Sequence, residues 1–198
     1  MHKEIRLSGT GGQGLILAGI ILAEAAVHDG REVIETQSYG PEARGGASRA
    51  EVIIADEAID YPKVGVADVV LVMSQEACNR YAAQVKPGGL VVVDETNVKS
   101  VPDVAGARVV RLPITDIARH EVGRQVTANM VALGALVGIA GLATPEAAER
   151  AVRERVPKGT EELNLKAFRL GMELAMERAR ERARERARER VREASDAT

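Results

Sequence analysis

"KEIRLSGTGGQGLILAGIILAEAAVHDGREVIETQ", Lys3–Gln37, decides the fold. Its first six residues (Lys3–Ser8) alternate at the period of a strand. Leu15–Val27 is rich in helix formers, has no proline, and stops at Gly30. Arg31–Gln37 returns to a strand pattern. Strand, glycine loop, helix and strand make a β-α-β unit, and a parallel sheet is its natural product.

Working outward, "SYGPEARGGA" (Ser38–Ala47) holds three glycines and a proline and reads as an exposed loop before a third strand, Ser48–Ala55. Further strands are expected at Val69–Met73, Leu90–Asp94 and Arg108–Leu112. A helix is expected from Gln75 to about Val85, with Pro87-Gly88-Gly89 as the punctuation after it. Beyond residue 112 the pattern is helical: Val122–Ala140, Pro145–Arg155 and Glu161 onward. The chain therefore reads as α/β, a three-layer α/β/α fold with a mainly parallel or mixed sheet plus a charged C-terminal helix.

The 198 residues suit one such domain with an appendage; 45% are hydrophobic but only 2% aromatic, so the core must be aliphatic. The net charge of −2 is uneven: eight Arg and five Glu between Glu177 and Glu193 leave the rest near −5. A mildly acidic body argues against a nucleic-acid surface. Cys78 is the single cysteine, so the chain has no internal disulfide and cannot itself supply the usual four thiolates of an iron–sulfur cluster. "MHKEIRLSG" has no signal-peptide core, and "LILAGIILAEAAV" is too short for a membrane span. Cytoplasm is the expected compartment, with no membrane and no nucleic acid as partner.

Three chemistries compete for Gly9-Thr10-Gly11-Gly12-Gln13-Gly14. Gly9, Gly11 and Gly14 fit the dinucleotide fingerprint, with Glu35 on the next strand as the ribose ligand. Gly9 and Gly14 also fit the outer glycines of a phosphate-binding P-loop. Leu15 and Ile16 occupy the places of its Lys and Ser/Thr, which excludes a nucleoside triphosphatase. The third is a seat for an anion or a neighbouring chain, formed by backbone amides at a helix start. A tight turn alone explains one or two of the four glycines, not all of them.

Taken together, "SGTGGQG" (Ser8–Gly14) and "SYGPEARGG" (Ser38–Gly46), one helix and one strand apart, resemble the gamma subunit of 2-oxoacid:ferredoxin oxidoreductases, most closely the 2-oxoglutarate type. "DYPKV" (Asp60–Val64), "VMSQEA" (Val72–Ala77) and "TANMVALGAL" (Thr127–Leu136) extend the resemblance over most of residues 3–170. It implies that residues 1–175 form the gamma, or pyruvate–ketoisovalerate oxidoreductase catalytic, domain and that 176–198 are a solvent-exposed Arg/Glu helical tail. It implies a complex with alpha, beta and ferredoxin-like delta subunits that uses thiamine diphosphate, Mg2+, iron–sulfur clusters and coenzyme A. Such a complex converts 2-oxoglutarate, coenzyme A and oxidised ferredoxin to succinyl-CoA, carbon dioxide and reduced ferredoxin. The thiamine cofactor and the clusters belong to other subunits. This chain would hold no metal and no catalytic residue of its own, would be inactive alone, and would help shape the coenzyme A passage.

On that resemblance the residues at the coenzyme A site or subunit interface are Gly9, Thr10, Gly11, Gly12, Gln13 and Gly14 in the first loop. In and beside the second they are Ser38, Tyr39, Gly40, Pro41, Glu42, Arg44, Gly45, Gly46 and Arg49. Amides at Gly11, Gly12 and Gly14 suit a diphosphate. Arg44 and Arg49 suit bidentate phosphate contacts, and Glu42 is placed to pair with Arg44. The open alternatives are the equivalent subunit of a pyruvate, branched-chain or indolepyruvate enzyme, and a free-standing dinucleotide-binding module using Glu35.

Other residues favour structural readings. Cys78 reads as a small buried hydrophobe, and His28 as a cation at a helix C-terminus. His2 and His120 lack a partner at metal-ligand spacing. Asp94-Glu95 reads as an exposed strand end, and Thr127 and Asn129 as servants of a helix's first turn. Met130–Leu142 is apolar around most of its circumference and is expected to be buried against the sheet or another subunit.

Overall fold

A computed structural model of the chain describes residues 1–38, 47–104 and 106–196. Its strands are β1 His2–Thr10, β2 Glu32–Ser38, β3 Ala47–Ala55, β4 Ala67–Val72, β5 Val85–Asp94 and β6 Arg108–Leu112. The helices are α1 Leu15–His28, α2 Gln75–Tyr81, α3 Ile114–Ile117, α4 Ala128–Ala140, α5 Pro145–Arg155 and α6 Glu161–Asp196. Helix α1 ends as its glycine predicts: Gly30 takes φ 76°, with Gly30 N–H donating to Val27 O and Arg31 N–H to Ala26 O, a Schellman closure.

One six-stranded sheet runs in the order β2-β3-β1-β4-β5-β6. β1, β4, β5 and β6 are mutually parallel, while β3 is antiparallel to both β1 and β2. The β-α-β unit is therefore split: β2 is parallel to β1 but separated from it by β3. Composition explains the order. Val52-Ile53-Ile54-Ala55 is buried on both faces, as an inner strand requires, whereas β2 is exposed or half-buried along its length and takes the edge.

Helices α1, α4, α5 and α6 cover one face, on which Ile5, Leu7, Val52, Ile54, Leu71, Val92 and Leu112 build the main core. The other face carries Ile53, Val70, Val72, Val91 and Val93 and is covered by α2 and by irregular segments bearing Val64 and Val98. One side of the three-layer arrangement is thus mostly irregular chain. Arg6 ties that side together. Its guanidinium donates to Glu51 on β3 at 2.7 Å, to Gln84 at 2.6 Å, and to the carbonyls of Val64 and Gly65, all beside the Tyr81 ring.

Two helix expectations need correction. The helix expected from Gln75 to Val85 stops at Tyr81, and Val85 already opens β5, so Pro87-Gly88-Gly89 lies within a strand. The single helix expected over Val122–Ala140 is broken. A π-turn at Ala118–Val122 ends at Gly123 (φ 83°), Arg124 is extended, and a 3-10 turn at Gln125–Thr127 leads into α4. A left-handed glycine followed by an extended residue cannot continue a helix.

Helix α6 is continuous through Asp196, about 54 Å at 1.5 Å per residue. Leu165, Phe168 and Ala175 are buried against α4, and most of the described side chains from Met176 onward are exposed. Arg178 donates to the carbonyl of Arg111 on edge strand β6 at 3.1 Å. The four-residue period of the tail stacks Glu on Glu and Arg on Arg at i,i+4, so its attractive pairs are those at i,i+3, as in Arg178–Glu181 at 2.9 Å.

At the amino ends of the parallel strands, Asp68 accepts from Glu4 N–H at 2.9 Å and Lys86 Nζ at 2.9 Å. Partial burial acts to raise its pKa, but these two donors and Lys3 outweigh burial and hold it below the ordinary 3.8. A carboxyl depressed by folding stabilises the protein above its unfolded pKa, and that contribution is lost as pH falls through the folded value. Asp68→Asn should accordingly flatten the fall in melting temperature below about pH 4, read by thermal denaturation from pH 6 to 2.5. Parallel curves for the variant and the parent would refute this assignment.

Candidate functional site

Both glycine-bearing loops leave the sheet at the same end. In register, Thr10 of β1 faces Ala47 of β3, and Ser38 of β2 faces Arg49. The first loop therefore starts beside the point where the second returns. Tyr39, Gly40, Pro41, Glu42, Arg44, Gly45 and Gly46 lie outside the described residues.

The first loop is held from within. Gln13 N–H donates to Thr10 O at 3.2 Å, Thr10 N–H donates to Gln13 Oε1 at 2.7 Å, and Gln13 Nε2 donates to Met73 O at 3.0 Å. Gln13 is thus a staple between the loop and the end of β4 rather than a free ligand contact. Gly9 needs its missing side chain for space, because a Cβ there would meet Gln13 and Leu15. Gly12 needs it for conformation alone: φ is 93°, and nothing lies within 4 Å of an added Cβ. Gly14 needs both, with φ 72° and Asn129 Nδ2 at 2.5 Å from the Cβ position. Among the described residues, the amides of Gly11, Gly12 and Gly14 have no acceptor.

Two helix starts meet at this loop. Helix α1 begins after Gly14 with no side-chain cap and no acidic residue in its first turn; α4, beginning after Thr127, shares both traits. Gly12, Gln13, Thr115, Gln125, Val126 and Ala128 line a pocket of about 260 Å3 between them. Gly12, whose amide has no acceptor among the described residues, and the start of α1 give this wall partial positive charge, with no basic side chain in its described lining. Asn129, 5% exposed, bridges the two ends by donating from Nδ2 to Gly14 O at 3.1 Å. Thr127 Oγ1 donates to Arg124 O at 2.8 Å and so serves its own turn, as expected.

Asp94 is not an exposed strand end. It is fully buried and accepts from Thr115 Oγ1 at 2.5 Å, Asn97 Nδ2 at 2.7 Å, Thr115 N–H at 3.2 Å and Thr96 N–H at 3.3 Å. Its work is to pin Thr115, a pocket-lining residue, to the end of β5. Nothing in the sequence marks Thr115 or Gln125 as lining residues. Val126 alone carries a signal, an apolar side chain in a polar run, and it is 74% exposed.

Arg49 and Glu35 are not brought to this pocket. Arg49 lies over the Tyr81 ring at 5.7 Å and 3.7 Å from Glu51, on the α2 side of the sheet. Glu35 pairs with Val52 two strands away from β1, and its Oε1 lies beneath α1 near Gly19. A ribose-binding acid requires β2 beside β1, and β3 occupies that place.

His28 Nε2 lies 3.0 Å from Glu154 at the end of α1. Cys78 is buried; burial pushes its thiol above the ordinary 9.0, although Arg111 acts in the opposite sense. A single buried thiol does not fit a cluster, and among the described residues no group of three or more His, Cys, Asp or Glu is disposed to hold a metal ion. No described helix is long and apolar enough to cross a membrane.

A sheet with an inserted antiparallel strand and a glycine loop at its carboxyl edge defines an α/β fold whose strand order departs from that of the dinucleotide-binding fold. The chain belongs to the pyruvate ferredoxin/flavodoxin oxidoreductase family, whose profile matches residues 4–174. It is 50% identical over 177 residues to the 2-oxoglutarate synthase subunit KorC of Methanocaldococcus jannaschii, covering 88% of this chain and 94% of that one. Its fold matches the gamma subunit of a keto/oxoacid ferredoxin oxidoreductase from Geobacter sulfurreducens with a TM-score of 0.79 at 49% identity, over 88% of this chain and 98% of the other. It also matches 31% of a chain of the 2-oxoglutarate:ferredoxin oxidoreductase from Magnetococcus marinus, solved with 2-oxoglutarate, coenzyme A and succinyl-CoA bound, with a TM-score of 0.79 at 27% identity over 88% of this chain.

Proposed function

We propose that this chain is the gamma subunit of a cytoplasmic 2-oxoglutarate:ferredoxin oxidoreductase. The complex converts 2-oxoglutarate, coenzyme A and oxidised ferredoxin to succinyl-CoA, carbon dioxide and reduced ferredoxin. The observation that carries this reading is the 50% identity to a 2-oxoglutarate synthase subunit across nearly the whole of both chains. Residues 1–175 are the subunit proper, and 176–198 are an appended arm.

The chain's own part is positional. Coenzyme A brings a diphosphate and a 3′-phosphate, and the amides of Gly11, Gly12 and Gly14, which have no acceptor among the described residues, at the start of α1 suit such a group. The pocket of about 260 Å3 is sized for part of that molecule, so the rest of coenzyme A lies against other subunits. Thiamine diphosphate, its Mg2+ and the clusters are assigned to alpha, beta and ferredoxin-like delta partners; the single cysteine of this chain cannot supply the usual four thiolates of a cluster.

Affinity purification from the native cell tests the reading. Partners carrying thiamine diphosphate and iron–sulfur clusters should co-purify, and the isolated chain should not bind NAD(H) in a titration. A chain recovered alone and binding NAD(H) tightly contradicts it.

A further inference from the structure

We propose that Asn129 is a positioning residue for the anion seat, the clamp that fixes the start of α1 against the start of α4; this rests on the coenzyme A reading of the loop. The Gly14 carbonyl is shared. It accepts the first intrahelical bond from Ala18 N–H at 3.1 Å and a second bond from Asn129 Nδ2 at 3.1 Å. The other end of the Asn129 amide is also used, with Oδ1 accepting from Met130 N–H at 3.0 Å. One buried side chain therefore bonds the first carbonyl of one helix and a first-turn amide of another.

The fit is also steric. Asn129 Nδ2 lies 2.5 Å from the point where a Cβ at Gly14 would be, so it fills the space that glycine leaves. Gln13 holds the opposite side of the loop through Thr10 N–H and Met73 O. With both sides fixed, the amides of Gly11, Gly12 and Gly14 are presented as a preformed set, and binding an anion requires no ordering of the loop. Without the Asn129 donor, the left-handed turn at Gly14 is held from one side only, and the seat must be ordered by the ligand itself.

Two variants in the assembled complex test this. Asn129→Asp is isosteric, keeps the acceptor for Met130 N–H, and removes the donor; Asn129→Ala removes the donor without adding charge. Both should raise the KM for coenzyme A about tenfold, the order of one lost buried hydrogen bond, and leave the KM for 2-oxoglutarate and kcat at saturating coenzyme A within twofold. A purely structural residue would lower the yield of complex or shift all three parameters together, and that result overturns the proposal. Gly12→Val, measured alongside, separates the two levels. If it raises the coenzyme A KM while both Asn129 variants leave it unchanged, the role of Asn129 is wrong and the loop reading stands. If Gly12→Val also leaves it unchanged, the loop reading itself has failed.

Discussion

Gly12→Val should assemble into the complex and yet raise the KM for coenzyme A by at least about tenfold, measured as coenzyme A-dependent ferredoxin reduction at saturating 2-oxoglutarate. Gly12 has φ 93° and nothing within 4 Å of an added Cβ, so the fold itself has room for the side chain. What changes is the seat: a branched side chain stands among the loop amides and excludes a diphosphate from close approach. The left-handed conformation costs about 1–3 kcal/mol wherever a branched residue is forced into it. Gly159 supplies the matched control, since it has φ 85° and equally open space but lies in the connection between α5 and α6. Gly159→Val should show the same loss of thermal stability and an unaltered coenzyme A KM. If both variants raise that KM equally, the effect is general destabilisation and not the loop.

The second large effect concerns stability. Helices α4 and α6 cross in backbone contact. A Cβ on Gly134 would lie 2.0 Å from Phe168 O, and one on Gly171 would lie 2.0 Å from Val131 O. One turn further along, Gly138 faces Ala175 with 2.6 Å between its Cβ position and the alanine methyl. No rotamer change relieves a clash with a carbonyl, so the helices must separate. Gly134→Val or Gly171→Val should each cost about 3 kcal/mol or more, a fall of roughly 6–12 °C in melting temperature for a chain of this size. Gly141→Val, at a left-handed position in open space, should cost markedly less. Separation would also displace the start of α4, where Ala128 and Asn129 meet the glycine loop. Melting temperatures for Gly134→Val and Gly171→Val within a degree of the parent would show that the contact is not as tight as described.

The aliphatic composition, the glycine loop and the strand–helix alternation made the α/β class legible in the sequence. The order of strands was harder to read, although its signal is present. The run Val52-Ile53-Ile54-Ala55 is wholly apolar, whereas Glu32–Ser38 holds only Val33 and Ile34 among five polar residues, and that contrast marks β3 as inner and β2 as edge. A β-α-β expectation overrode it and placed Glu35 beside the loop. The break between Val122 and Ala128 turns on Gly123, whose left-handed φ of 83° cannot be told in sequence from that of a tolerated helix glycine. Burial was the least legible property of the site. Asp94 ends a strand and so reads as exposed, but Thr115, 21 residues later, comes back to cover it. The glycines themselves were visible, but the neighbours that give them a task, Asn129 above all, are brought there by tertiary packing.

The most direct test of the central claim is reconstitution of the complex with and without this chain, followed by quantification of succinyl-CoA from 2-oxoglutarate, coenzyme A and oxidised ferredoxin. Succinyl-CoA should form stoichiometrically with ferredoxin reduction only when the chain is present, and the chain alone should form none. Undiminished succinyl-CoA formation by the partner subunits without it, at the same coenzyme A KM, would contradict the function assigned to it.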